Sequence, residues 1–402
     1  MSIPGNIPGV IGVVDCMKRV RVVAVFSVFL LVVGACTTES DDAPLVILDS
    51  AGAVAIVTST GEEIERFDPK AGARYFQPIW ASADTVVRAQ IAQGDNRLIA
   101  TQISGQEVWN VEFATAPFFY LASPDPESTT VVSLRNNEAA AGLIAEVVDG
   151  SDSVEVVGKD APFYMTWEPD GSTLATHSGG SRLDVRATTT VTIDSLTGRF
   201  QAPVWLDDGL VTLRTQGART FLAVWDGEVF IDVARVRGSA RFVGAGRRVA
   251  IQTTLDGNEN AIAAAAQVIP VVRPGPLTVV DLEDGSVTVV TSAASPVFQW
   301  DPSGTRLLFL TLVDGPEPSV AWHVWQDGEI IDFEPFSPDL SWLGVFGPFA
   351  DQYAQSVSLW SPDGSAFAYP AVLNGVSRIL VQGFIDESPR DIAPGVWVAW
   401  AP

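Results

Sequence analysis

A short phrase recurs along this chain: a large apolar residue, then a turn of Pro, Asp, Ser or Gly, then a β-prone run. It is clearest at Trp167-Glu168-Pro169-Asp170-Gly171, Trp300-Asp301-Pro302-Ser303-Gly304 and Trp360-Ser361-Pro362-Asp363-Gly364, with degenerate copies anchored on Trp80, Leu121, Trp205 and Phe242. Trp400 opens an eighth copy. Successive anchors stand 41, 46, 38, 37, 58, 60 and 40 residues apart, the period of a β-propeller blade and not of a helical repeat.

The phrase has a mechanical reading. Its aromatic residue can bury a large area between adjacent sheets, Pro presets φ at the first central turn position, and Gly accepts a positive φ. The run that follows, such as Leu174-Ala175-Thr176 or Leu307-Leu308-Phe309, is expected to be the innermost strand of the next blade. A second phase agrees with the first: Gly61, Gly105, Gly150, Gly198, Gly227, Gly285, Gly328 and Gly383 each stand between two apolar runs as hairpin glycines. Leu45 to Asp49 has no anchor before it and Trp400 no strand after it, so the two chain ends are expected to complete one blade together. The fold class read from these signals is all-β, a single propeller of eight blades, with seven as the alternative because Leu121 and Phe242 are weak anchors.

Three segments follow: 1–35 as a signal peptide, whose working start is Met17, 36–44 as a tether, and 45–402 as the propeller. Met17-Lys18-Arg19-Val20-Arg21 is a basic leader, Val22 to Val33 an apolar run too short for a spanning helix, and Val33-Gly34-Ala35-Cys36 a small-residue cleavage region. Its ending on Cys resembles the bacterial lipobox, which implies lipidation of Cys36 and an extracytoplasmic, membrane-anchored protein of the bacterial cell envelope. Cys16 and Cys36 are the only cysteines, so the propeller itself has no thiol chemistry. With 48 acidic against 24 basic residues the formal charge is −24. That surface repels nucleic acid and anionic headgroups and leaves membrane attachment to the lipid.

The Trp-Ser-Pro-Asp-Gly phrase at Trp360 to Gly364, with its relatives at Trp167 and Trp300, resembles the repeat of the TolB-type propellers, also called WD40-like or PD40 repeats. The resemblance runs along nearly all of 45–402 and is a signature of fold, not of activity. It implies relatives that include periplasmic scaffolds binding partner proteins and propeller domains gating peptidases. The family's type member has six blades and an additional N-terminal domain, and neither feature matches here.

Catalytic patterns are sparse. The chain has no Gly-x-Ser-x-Gly elbow, and its only histidines, His177 and His323, lack a second ligand at zinc spacing. Asp256-Gly257-Asn258-Glu259-Asn260 starts like a calcium loop, but Ala261 and Gln267 stand where that loop needs Gly and Glu. No cofactor and no metal are expected. Two intervals are overlong, through excursions at 258–276 and at 333–353. The second is rich in aromatics and reads as a cover over one end of the propeller that buries its own rings, or as a partner-binding patch.

Aligning the repeats places Asp49, Gln90, Arg135, His177, Arg214, Gln252, Leu310 and Pro370 at the ends of the expected innermost strands. Gln90, Arg135, His177, Arg214 and Gln252 would then form a polar ring at the channel mouth, positive enough to hold an anion. A second group, Arg235, Arg237, Arg241, Arg247 and Arg248, reads as a solvated sheet face. The function expected is therefore binding without catalysis, as a monomeric scaffold or receptor for an envelope protein or a small anionic or peptidic ligand. The alternative is a hydrolase or lyase with His177 as base and Arg135 and Arg214 holding the substrate.

Overall fold

The structure is a computed structural model that describes residues 43–140, 142–151, 154–179, 182–195, 197–254 and 274–402. The expected leader, the Cys36 lipidation site, the calcium-like loop and most of the 258–276 excursion lie outside the described residues. Among the described residues no helix is long and apolar enough to cross a membrane.

Eight antiparallel sheets form the eight blades of a propeller, and among the described residues helix is confined to 340–353. Blades 2 to 7 are four-stranded meanders over 74–113, 117–161, 163–194, 204–236, 240–291 and 298–332. Leu121 lies in the first strand of blade 3 (Pro117–Ala122) and Phe242 in that of blade 6 (Ala240–Ala245), so the two weak anchors are full members of the repeat and the count is eight. Blade 8 carries three strands, Ala366–Leu373, Val376–Gly383 and Arg390–Pro394. Its innermost edge is made by 358–360, through single bridges from Ser358 to Trp400 and Trp360 to Phe367. Blade 1 is built from both chain ends: Leu45–Leu48 pairs with Trp397–Trp400, with Leu45 opposite Trp400 and Leu48 opposite Trp397.

The anchor residues occupy a different strand from the one expected. First strands, which end on the anchors, pack against first strands of neighbouring blades. Fourth strands, such as Glu329–Asp332, are exposed along their length. The anchor therefore ends the innermost strand of its own blade, and the run after the turn is the second strand. Burial explains why the two were confused. Second strands such as Leu45–Leu48, Val131–Asn136 and Leu307–Val313 are apolar on both faces because sheets cover both.

The indole of an anchor also has a hydrogen-bonding task. Trp80, Trp300 and Trp360 each donate Nε1–H to an inner-strand carbonyl of the preceding blade, Ala399 at 3.1 Å, Val243 at 3.3 Å and Gln299 at 3.2 Å. Six of the eight expected hairpin glycines fall between third and fourth strands; Gly383 ends the third strand of blade 8, and Gly198 follows the fourth strand of blade 4. Gly61 shows the constraint: its φ is +89°, and a Cβ there would lie 2.3 Å from the Ile392 carbonyl of blade 8.

The 333–353 excursion fills the channel. Phe336 exchanges backbone hydrogen bonds with Val320. Asp339 then caps helix α1 (Leu340–Phe346), accepting from Trp342 N at 2.9 Å. A 3-10 turn (Gly347–Phe349) leads to the one-turn helix α2 (Ala350–Tyr353), which touches the inner strands of blades 4, 6 and 7. Trp342, Phe346 and Tyr353 stack at 5.1 and 5.3 Å, and the last two meet Trp397 of blade 1 edge-on. The excursion buries three of its rings, Trp342, Phe346 and Tyr353, along the propeller axis as a plug, while Phe333 and Phe336 are half-buried and Phe349 is exposed.

Candidate functional site

The five residues of the expected ring all lie near the ends of second strands, one layer out from the axis, and each is bound locally. Gln90 donates to Asp95 at 3.1 Å. Arg135 forms a double hydrogen bond to Glu146, at 2.8 and 2.7 Å, on the next strand of its own blade. Arg214 donates to Asp194 at 2.7 Å and lies over the Phe230 ring. Gln252 donates to the Ser295 carbonyl and accepts from its N–H, at 2.8 and 3.1 Å.

His177 is fully buried. Its Nδ1 donates to the Gln201 carbonyl at 2.9 Å, and its Nε2 shares a 2.8 Å bond with Thr197 Oγ1. Burial lowers its pKa and holds the ring neutral, against a smaller opposing pull from the Gln201 bond. These residues do not converge on the channel, and the carboxylates beside Arg135 and Arg214 cancel the positive potential expected there. The expected solvated arginine face holds for Arg235, Arg237 and Arg247. Arg241 departs from it: it donates to Gly347 O at 2.7 Å, Ser295 O at 3.3 Å and Pro296 O at 3.2 Å, fastening the plug to blades 6 and 7.

The inner strands and the plug do enclose a cavity. Ala122 and Pro124 of blade 3, Thr166, Trp167 and Pro169 of blade 4, Val204 and Trp205 of blade 5, and Val243 and Gly244 of blade 6 surround a cavity of about 200 Å³. Its floor is Asp351, Ala354 and Gln355 of the plug. It opens at the end of the propeller where the anchors stand. Gln355 is held by a 3.1 Å bond to Met165 O, and Ser356 Oγ accepts from Ala122 N at 2.9 Å, so plug and mouth are fixed to each other.

Three polar groups at this mouth lack partners. Trp167 and Trp205 do not make the indole-to-carbonyl bond of Trp80, Trp300 and Trp360, and both Nε1 atoms are without a hydrogen bond. Asp351 is 5% exposed and its Oδ1 has no partner. Burial raises the pKa of its carboxyl, against the charge of Arg241 and bonds from the backbone, which lower it. Buried polar groups normally find partners; of the twelve buried side-chain atoms without one among the described residues, three belong to residues that line this cavity.

Sequence reasoning found Trp167 and Trp205 only as anchors and missed Asp351. A signal was present: an excursion directly before an anchor occupies chain where an innermost strand belongs, so it must pass close to the axis.

No protein-family model matches the sequence, and no characterised protein does either. Solved structures do match in shape. The dihydro-heme d1 dehydrogenase NirN aligns with a TM-score of 0.58 at 11% identity, over 89% of this chain and 74% of its own. A prolyl endopeptidase aligns with a TM-score of 0.52 at 13% identity over 82% of this chain; the alignment spans only half of the peptidase. TolB from Acinetobacter baumannii aligns over 82% of this chain and 83% of its own at 14% identity, with a TM-score of 0.39, too low to add to the argument. At such identities the likeness is one of fold alone, and this chain is itself an eight-bladed propeller.

Proposed function

We propose that this chain is an extracytoplasmic propeller, held to a bacterial membrane by lipid on Cys36, that works by binding a ligand or partner protein at the open mouth of its plugged channel. The observation that carries the reading is the mouth cavity, where two partly exposed indoles and a buried acidic residue from three elements line one space. Sites of this kind, mostly apolar with a few convergent polar groups, are the usual form of a binding pocket. The alternative, a hydrolase or lyase with His177 as base, has no exposed base to work with, because both ring nitrogens are engaged inside the blade.

The test of binding is a photo-crosslinking residue placed at position 169 on the rim, compared with one at position 289 on an exposed outer strand. Discrete adducts in intact cells at 169 and not at 289 are expected; equal labelling at the two positions overturns the reading. The anchor is tested separately. Cys36→Ser is expected to release the protein from the membrane fraction or to block its processing, and unchanged membrane association would remove the lipoprotein assignment.

A further inference from the structure

We infer that the mouth cavity takes the ammonium or guanidinium end of an organic cation, seated against the indoles of Trp167 and Trp205 with Asp351 as its counter-charge. The inference rests on the binding role proposed above and names the chemistry that role requires. Four observations converge on it. Asp351 lines the cavity and is 5% exposed, and its Oδ1, itself closed off from solvent, has no hydrogen bond, a condition that costs free energy. Arg241, the positive group whose charge reaches Asp351, has guanidinium donors engaged by the carbonyls of Gly347, Ser295 and Pro296. Two partly exposed indole rings line the same space, and aromatic rings attract cations at their faces. The formal charge of −24 raises the local concentration of cations at such a mouth and repels anions.

Size narrows the class. A cavity of about 200 Å³ falls below the ~300–1,000 Å³ of drug-sized sites and suits one alkylammonium or alkylguanidinium group. That group can belong to a free amine or to a Lys or Arg side chain of a protein partner. Tyr164 and Arg241 are the titratable groups whose charge couples to Asp351. Burial keeps its carboxyl protonated to higher pH than an exposed one, so arrival of a cation expels a proton and affinity rises with pH.

The experiment is calorimetric titration of the detergent-solubilised full-length protein with n-butylammonium chloride, with 1-butanol as the uncharged analogue and acetyl-Gly-Lys-Gly-amide as the peptide probe. Saturable binding of butylammonium, none of butanol, and at least tenfold weaker butylammonium binding in Asp351→Asn are expected. The substitution removes a buried titratable carboxyl at constant shape, and its melting curve confirms folding. Tighter binding of the peptide than of butylammonium assigns the cation to a protein partner; the reverse order assigns it to a free amine. Butanol binding as well as butylammonium, equal binding by Asp351→Asn, or no binding of either cation overturns the inference. Rim crosslinks without cation binding would leave the binding role standing and sink only this chemistry, whereas loss of both removes the mouth as a site.

Discussion

Arg135 and Glu146 are a pair on neighbouring strands whose side chains are 16% and 5% exposed, and the consequence of so little water is asymmetry. Removing one partner strands the other charge in a poorly solvated place, while replacing both with apolar residues restores the packing. Arg135→Ala is therefore expected to cost about 3–5 kcal/mol in urea denaturation, and Arg135→Met with Glu146→Leu to recover most of it. His177 and Asp351 give opposite pH dependences. The His177 pKa is lowered in the folded protein, so its contribution is present above the unfolded value of 6.5 and is lost as pH falls through the folded one. The Asp351 pKa is raised above 3.8, so its contribution is present below 3.8 and is lost as pH rises through the folded value. Thermal melts from pH 4 to 8 are expected to show stability falling toward acid less steeply in His177→Gln, and neutral-pH stability higher in Asp351→Asn, than in the wild type.

At the scale of the element, the plug decides what the channel can be. Phe346 is 1% exposed, stacked between Trp342 and Tyr353 and edge-on to Trp397. Phe346→Ala is expected to cost about 3–5 kcal/mol, the range for emptying a buried aromatic position, with no loss of blade structure by far-ultraviolet circular dichroism; a cost below about 1 kcal/mol would mean that the plug is not part of the core. Periodic elements were the most legible in the sequence, because an anchor every 37 to 60 residues is repeated evidence for one physical unit. The blade count, the shared blade of Leu45–Leu48 and Trp397–Trp400, and the burial of Trp342, Phe346 and Tyr353 in the 333–353 excursion could all be read in advance. The innermost strand was misassigned because first and second strands are both buried, and hydrophobicity alone does not order them. Gln90, Arg135, His177, Arg214 and Gln252 shared a register but not a site: each partner comes from a nearby strand or loop, which repeat alignment does not display. Asp351 was invisible because its burial depends on where a non-repeating segment crosses the axis.

For the whole molecule the governing fact is closure. Trp397–Trp400 is the innermost strand of blade 1, and beyond its pairing with Leu45–Leu48 it holds both neighbours. Trp80 Nε1 donates to Ala399 O, Trp397 Nε1 donates to Pro78 O, and Trp400 N donates to Ser358 O. Deleting residues 396–402 is expected to open edges on two blades, lower the melting temperature by more than 10 °C and promote self-association visible by gel filtration, since unpaired strand edges template pairing with other chains. An unchanged melting temperature would argue against the closed ring.

The same shared blade imposes an order in time. Leu45 and Trp400 are partners 355 positions apart in sequence, one of the longest-range contacts a chain of this size can make, and such contacts form late because the loop between them must first be drawn together. While the chain emerges from its N-terminal end, the strand at 45–48 waits with its inner edge unpaired until the strand at 397–400 has been made to cover it. Ring completion thus waits for residues 397–400: a chain stopped anywhere before residue 397 is left with an open seam. That seam is the kind of exposed edge by which quality-control proteases and chaperones could tell an unfinished copy from a finished one.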